Sequence, residues 1–277
     1  MSNLIIPEVY AGIVREKFLG RVKVANLVAD LGFLKNTTVG DTVTFPKFRT
    51  ITNPNEVVKG TPIEVEELTQ TSSQATIKQV GKGVRVYDID DLTAFGNFVQ
   101  ESATQQAIVF ARKLDLDLIE EAKTSPLKHS VEVKDKLTST DLNGALNLYG
   151  DEQDTEDFSG IVINSVLLPS LYAMPEFIDK TKTIVSENNG IITNGLVGFY
   201  RNIPVFLSDH GTYDDTNQEP ITLIIKKNSL GYMTKRDINI ELERMAKLKA
   251  TDVVGDFIYA VKLTDDAGVV VLKKTIA

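Results

Sequence analysis

The 277-residue chain contains no cysteine and no tryptophan, and its only histidines are His129 and His210. The lack of cysteine excludes disulfides, thiolate metal sites and a thiol nucleophile. Two histidines leave almost no scope for a multi-histidine metal site within one chain. No apolar run approaches twenty residues, which argues against a membrane-spanning helix. Residues 1–10 lack the basic and then apolar pattern of a signal peptide. The absence of cysteine fits a protein made in a reducing cytosol.

The overall composition is that of an ordinary folded protein. Hydrophobic residues make up 42% of the chain and charged residues 25%, which argues against wholesale disorder. Thirty-eight acidic residues against thirty basic ones give a net charge of -8. Because affinity for phosphate depends on Lys and Arg, an acidic chain is a poor general binder of nucleic acid.

Two segments with alternating apolar residues predict strands at 42–51 and 74–87. The glycines of Gly81-Lys82-Gly83 predict a bulge or bend in the second strand. The segment between the strands is long but carries apolar residues, which is typical of a two-stranded arm with one covered side. Either a neighbouring subunit or the chain's own domain covers it. The candidate contact residues of this loop are Val57, Val58, Ile63, Val65 and Leu68.

A long amphipathic helix follows. Acidic residues at 88–91 suit a helix N-terminus. Gly96-Asn97 predicts a break into a short and a long helix, and Ser125-Pro126 predicts the end. From Phe98 to Lys123, a rise of about 1.5 Å per residue gives about 39 Å, which is enough to cross a whole subunit. The apolar stripe has steps of three and four and consists of Leu92, Phe95, Val99, Ala103, Ala107, Ala111, Leu114, Leu118 and Ala122.

The remaining segments mix helices and strands. Residues 1–40 have no single period, and they form either an extended arm on another subunit or the first helix of a compact core. Residues 131–225 resemble an α/β lobe with a helix that starts at Thr140 or Asp141 and a second that Asn164 or Ser165 caps. Residues 212–220 read as a polar surface loop. Further strands are predicted at 161–163, 191–199, 205–207, 221–225, 238–242, 253–263 and 269–272.

Motifs for catalysis or cofactor binding are weak. The chain contains no GxxxxGK[ST], GxGxxG, HExxH or GxSxG pattern. Residues 125–128 match SxxK, but Pro126 interrupts the helical spacing that this motif needs. Ser208-Asp209-His210 has triad residue types, but adjacent extended residues point in different directions. The acidic loop 151–157 lacks the glycine and terminal glutamate of an EF-hand loop. We therefore expect no enzyme activity, no metal and no cofactor.

The order of elements resembles that of the tailed-bacteriophage major capsid proteins, the Hong Kong 97 fold. The local segments most similar to the family are 195–206 (GLVGFYRNIPVF), 230–233 (LGYM) and 237–242 (DINIEL). The resemblance implies an α+β fold with an inserted axial domain. It assigns an N-terminal arm to 1–41, an extended β-hairpin loop to 42–88, a peripheral domain with a long spine helix to 89–127 and 226–277, and the axial domain to 128–225.

The resemblance also implies a function. The chain is expected to self-assemble through pentamers and hexamers into an icosahedral or prolate shell around double-stranded DNA. Expected partners are other copies of itself, a scaffolding protein, a portal protein, a possible decoration protein and weakly bound DNA, with no membrane. The expected location is the virion, after synthesis in the bacterial host cytoplasm. Two alternatives stay open: an encapsulin-type compartment shell with the same fold, and a small hydrolase or binding protein.

Overall fold

The computed structural model describes residues 7–19, 21–33, 42–48, 56, 59–60, 62–63, 65–67, 70–93, 98–179 and 195–276. The helices of this part of the chain are α1 (Pro7–Leu19), α2 (Asp88–Thr93), α3 (Phe98–Ala122), α4 (Ser139–Asn147) and α5 (Leu168–Tyr172). As predicted, a short helix precedes a long one, and the long helix ends shortly before Ser125-Pro126. Its buried stripe includes Ala103, Ala107, Leu114 and Leu118, so the periodicity predicted its buried face correctly.

A four-stranded sheet packs one face against α3. Its strands are β1 (Ala29–Phe33), β4 (Lys78–Tyr87), β13 (Leu230–Met245) and β14 (Ala250–Leu263), in the order β1-β13-β14-β4. Alternate residues of β14, such as Val253, Phe257 and Tyr259, join the core that contains α1 and α3. Because side chains of a strand alternate between faces, Ala260 lies on the opposite, outer face.

A separate hairpin precedes β4. It consists of β2 (Thr42–Phe48) and β3 (Gln70–Thr76), which pair from Thr42↔Thr76 to Phe48↔Gln70. Ile77 alone separates β3 from β4. The hairpin is therefore joined directly to an edge strand of the four-stranded sheet.

A seven-stranded sheet forms the second large layer. The order is β5-β15-β12-β6-β9-β8-β7. These strands are β5 (Lys128–Ser130), β6 (Phe158–Ile163), β7 (Phe177–Asp179), β8 (Leu196–Tyr200), β9 (Ile203–Leu207), β12 (Thr222–Lys226) and β15 (Val269–Lys273). Helices α4 and α5 pack on one face with a core of their own, which includes Leu142, Leu171 and Ile224. The other face contributes Leu223 and Val271 to the core around α3.

The bulge predicted at Gly81-Lys82-Gly83 is wrong. Strands β4 and β14 stay in register without a shift from Lys78↔Tyr259 to Tyr87↔Ala250. Neither glycine has a positive φ, because regular antiparallel pairing leaves both in extended backbone. The break in the extended segment 70–87 falls at Ile77, between β3 and β4. The irregular pairing of the four-stranded sheet lies in β13, between Thr234 and Asn239.

Two predictions in the second lobe also need correction. Helix α4 begins at Ser139 and not at Thr140 or Asp141, because Thr138 serves as its N-cap.

The segment 212–220 is not simply a polar surface loop. It forms the hairpin β10 (Tyr213–Asp214) and β11 (Glu219–Pro220). Thr212 and Glu219 are completely buried. Their polar groups have partners there, because Thr275 N–H donates to the Glu219 carboxylate and Asn164 Nδ2 donates to the Thr212 hydroxyl. Asn164 does act as a cap, because it accepts from Val166 N–H, but it caps the 3-10 turn Ser165–Leu167 that leads into α5, and α5 itself has no side-chain cap.

The predicted domain limits stay a prediction, and the strand pairing bears on two of them. Strand β4 lies within the predicted loop 42–88 but pairs throughout with β14 of the four-stranded sheet. Strand β15 lies within the predicted peripheral segment 226–277 but pairs with β12 and β5 of the seven-stranded sheet. Pairing partners that are distant in the chain decide both points, and local patterns do not reveal them.

Candidate assembly surfaces

The base of the hairpin is covered by its own subunit. Val43, Phe45 and Ala75 are buried and pack with Ala260 on the outer face of the four-stranded sheet. Met233 flanks the cluster. The sequence left open whether a neighbour or the chain's own domain covers this arm. For the hairpin base, the chain's own domain does so.

The loop beyond the hairpin base presents apolar side chains to solvent. Ile63 is 71% exposed and Val65 is 90% exposed. The other three candidate residues, Val57, Val58 and Leu68, lie outside the residues whose side chains the structure describes. Large exposed apolar side chains on a projecting segment are typical of a surface that another protein covers.

The N-terminal segment packs on the long helix. Tyr10, Val14 and Phe18 of α1 are buried, and the Tyr10 hydroxyl donates to Oε1 of Gln106 at 3.1 Å. Of the two interpretations left open for residues 1–40, residues 7–33 fit the first helix of a compact core. The sequence prediction missed Asp115, whose carboxylate accepts backbone N–H groups of residues 23–25 at 2.9 to 3.0 Å.

Ion pairs neutralise much of the charge along the four-stranded sheet. Arg85 makes two hydrogen bonds of 2.7 Å to the Asp252 carboxylate, and these bonds lower the pKa of Asp252. Arg244 makes two of 2.6 Å to Asp88, and Arg236 pairs with Asp256. The arginines of this sheet are therefore committed to carboxylates of the same chain. Such exposed pairs contribute little to stability.

The weak catalytic patterns do not assemble into sites. Ser208 is buried, whereas His210 is exposed, so the two side chains do not converge as a triad would require. The Ser125 hydroxyl donates to the carbonyl of Val269 at 2.5 Å, which gives it a structural partner. In the described ranges, no three acidic or histidine side chains come together in a way that could hold a metal ion. No helix within those ranges has the length and apolar character needed to cross a membrane.

Known proteins share this architecture. No protein-family model matches the chain. The chain is 25% identical over 281 aligned residues to the major capsid protein of Staphylococcus phage phiMR11, with 99% of this chain and 94% of that protein covered. The head structure of Helicobacter pylori bacteriophage KHP40 matches at a TM-score of 0.64, with 12% identity over 91% of this chain and 90% of that one. The chain has the tailed-phage capsid fold.

Other solved structures agree. The capsid structure of the cyanophage P-SCSP1u matches this capsid fold at a TM-score of 0.60 and 15% identity, covering 90% of this chain and 88% of that one. The resemblance to the Hong Kong 97 fold and the α+β class, both predicted from the sequence, are thereby confirmed. At such low sequence identity, these structural matches show the fold alone.

Proposed function

We propose that this chain is the major capsid protein of a tailed bacteriophage. The observation that carries the proposal is coverage: nearly the whole chain aligns with nearly the whole of a phage major capsid protein. Nine-tenths of the chain also superimposes on solved phage heads and capsids. The relatives are phage proteins, so the alternative of an encapsulin-type compartment is not favoured.

The chain would assemble with copies of itself through pentamers and hexamers into a closed shell, icosahedral or prolate. The exposed Ile63 and Val65 support a role for the extended loop in these contacts, because a neighbour would cover them in a shell. A shell repeats the same contacts many times, so that each contact can be weak while the assembly is stable. Val57, Val58 and Leu68 belong to the same proposed contact surface.

The two sheets suggest how the subunit is divided. The four-stranded sheet with α1 and α3 would form the peripheral domain with its spine helix, and the seven-stranded sheet with α4 and α5 the axial domain. In this assignment, β4 belongs to the peripheral domain and β15 to the axial domain, as their pairing indicates. The extended loop would then end before Lys78, and the second peripheral segment, from residue 226 on, would end before Val269.

The remaining partners follow from the same role. A scaffolding protein, a portal protein and a possible decoration protein would join the shell, and the chain would act without catalysis. Packaged double-stranded DNA would touch the shell by weak, non-specific contact, since the chain carries a net charge of -8. Ion pairing of Arg236 and Arg244 within the subunit supports weak contact. The protein would be made in the bacterial host cytoplasm and reside in the virion.

Co-expression tests the proposal. The chain is produced alone and together with the genes that flank it, and particles are separated by size-exclusion chromatography and imaged by electron microscopy. The proposal predicts closed shells, or rings of five and six subunits, in at least one of the two preparations. Only monomers in both preparations would contradict it.

A further inference from the structure

A buried carboxylate lies at the centre of a polar cluster in the spine helix α3. Asp117 is only 4% exposed. Its Oδ2 accepts a hydrogen bond of 2.6 Å from the Tyr259 hydroxyl, and its Oδ1 lies 2.9 Å from Nζ of Lys113 and 3.1 Å from Nζ of Lys78. A buried carboxylate needs such partners, because without them its desolvation strongly destabilises the fold.

The cluster lies where the extended loop leaves the body of the subunit. Lys78 is the first residue of β4, and it pairs with Tyr259 at the end of the β4–β14 ladder. Ile77 precedes it, and the hairpin of β2 and β3 ends one residue earlier, at Thr76. The side chain of Lys78 thus ties the first strand residue after the hairpin directly to α3.

The opposite face of the same strand holds the hairpin by apolar contact. Ala260, the neighbour of Tyr259 in β14, is completely buried under Phe45 and Val43. The loop base is therefore held on both sides of the sheet, by a polar contact on the helix side and an apolar contact on the outer side. Two contacts on opposite faces restrict the angle between the hairpin and the sheet more than either contact alone.

The two lysines of the cluster differ in what they connect. Lys113 lies on α3 itself, four residues before Asp117, so its bond joins one turn of the helix to the next. Lys78 is in another element, so its bond joins the helix to the loop strand. Both lysines are 43% exposed and both contact the same carboxylate oxygen, so removing either one removes the same charge.

We propose that Asp117 is a positioning residue that fixes, through Lys78, the direction in which the extended loop leaves the subunit. The inference rests on the proposed function, because the direction matters only if the loop must reach a defined place on a neighbour. Asp117 acts through the loop base.

The experiment compares the full-length chain with Lys78→Met and with the matched control Lys113→Met. Hydrogen exchange is measured on unassembled subunits at the backbone amides of 42–48 and 70–77. Loss of one hydrogen bond to a charged group predicts roughly tenfold faster exchange there in Lys78→Met, with a change within about twofold in Lys113→Met. Lys78→Arg, which keeps a cationic donor, is expected to restore slow exchange. Equal exchange in the two methionine variants would overturn the inference.

Particle formation supplies the second measurement. We expect Lys113→Met to form shells of wild-type shape and Lys78→Met to give open or irregular particles under the same conditions. Closed shells of normal shape from Lys78→Met would overturn the assembly part of the inference. If the wild-type chain forms no particles either alone or with the genes that flank it, the proposed function fails, whereas the exchange comparison still decides the role of Asp117 in the loop base.

Discussion

The hydroxyl of Tyr259 lies 2.6 Å from Oδ2 of Asp117, which connects strand β14, at the end of its pairing with β4, to the C-terminal part of the spine helix. Burial raises the pKa of Tyr259, and the adjacent carboxylate raises it further, so the phenol stays a hydrogen-bond donor at neutral pH. Because Ala260 follows directly and supports the hairpin, this strand transmits the position of the helix to the extended loop.

The exposed loop residues are expected to be needed for assembly and not for folding. Ile63→Ser combined with Val65→Ser removes two apolar side chains that contribute nothing to the core of the isolated subunit. We expect an unchanged melting temperature and loss of shell formation, measured by circular dichroism and by size-exclusion chromatography.

The control for this variant is Val166→Ser, at an exposed valine next to the cap of the second lobe. It is expected to leave both melting temperature and shell formation unchanged. Normal shells from the double loop variant would refute the assignment of Ile63 and Val65 to an inter-subunit contact.

Phe45 is expected to hold the hairpin base without contributing to the main core. Its ring is completely buried, in a small cluster separate from the two large cores. Phe45→Ala should reduce the free energy of local opening of the hairpin by about 3 kcal/mol, the cost of a large apolar truncation. Hydrogen exchange at 42–48 and 70–76 measures this. The variant would contradict the account if global unfolding shifted while local exchange did not.

The N-cap of α4 gives a prediction for the second lobe. Thr138 Oγ1 accepts from Asp141 N–H at 3.2 Å, and Thr138 N–H donates to the Asp141 carboxylate at 3.0 Å. Thr138→Ala should lower the free energy of unfolding by about 1 kcal/mol, as loss of an N-cap usually does. Urea denaturation measures the change. Ser139→Ala, at the first residue of the helix, is the control and should cost less.

Acid should remove the contribution of the Asp117 cluster. Burial raises the pKa of Asp117, but the hydrogen bonds from Tyr259, Lys113 and Lys78 outweigh burial and hold the pKa below its usual value. Since the unfolded pKa is about 3.9, these bonds stabilise the fold fully above that pH and lose their effect as the pH falls through the lower folded pKa.

The measurement is the free energy of unfolding of wild type and Lys78→Met between pH 7 and pH 2.5. The gap between them should be widest near neutral pH and should close below about pH 4. Burial raises the pKa of Asp115, which gives a pH dependence of opposite sign, but Asp115 is present in both proteins and cancels in the difference. A gap that does not depend on pH would contradict the ionic role of Lys78.

Local periodicity predicted the long helix and most strands, because each of these elements buries one regular face. The stripe from Ala103 to Ala122 is an example. Local periodicity failed where contacts between residues that are distant in the chain determine the strand pairing. Regular pairing of β4 with β14 keeps Gly81 and Gly83 in extended backbone. Strand β15 joins a sheet whose other strands come from another part of the chain.

The candidate site was only partly predictable. Apolar residues in a long polar segment indicated the loop contact surface, and Ile63 and Val65 are indeed exposed. Asp115 and Asp117 were missed, although two carboxylates beside Leu114 and Leu118 in an apolar stripe are a usable signal. A buried acidic residue in a helix needs donors from another element, and only the folded chain shows which donors these are.

Cryo-electron microscopy of particles purified from cells that express the chain with its neighbouring genes tests the central claim most directly. We expect a closed shell whose five-fold and six-fold units are built from this chain, with the extended loop of each copy lying on another copy. A shell in which Ile63 and Val65 face solvent in every copy would contradict the contact surface. The absence of this chain from the shell would contradict the proposed function.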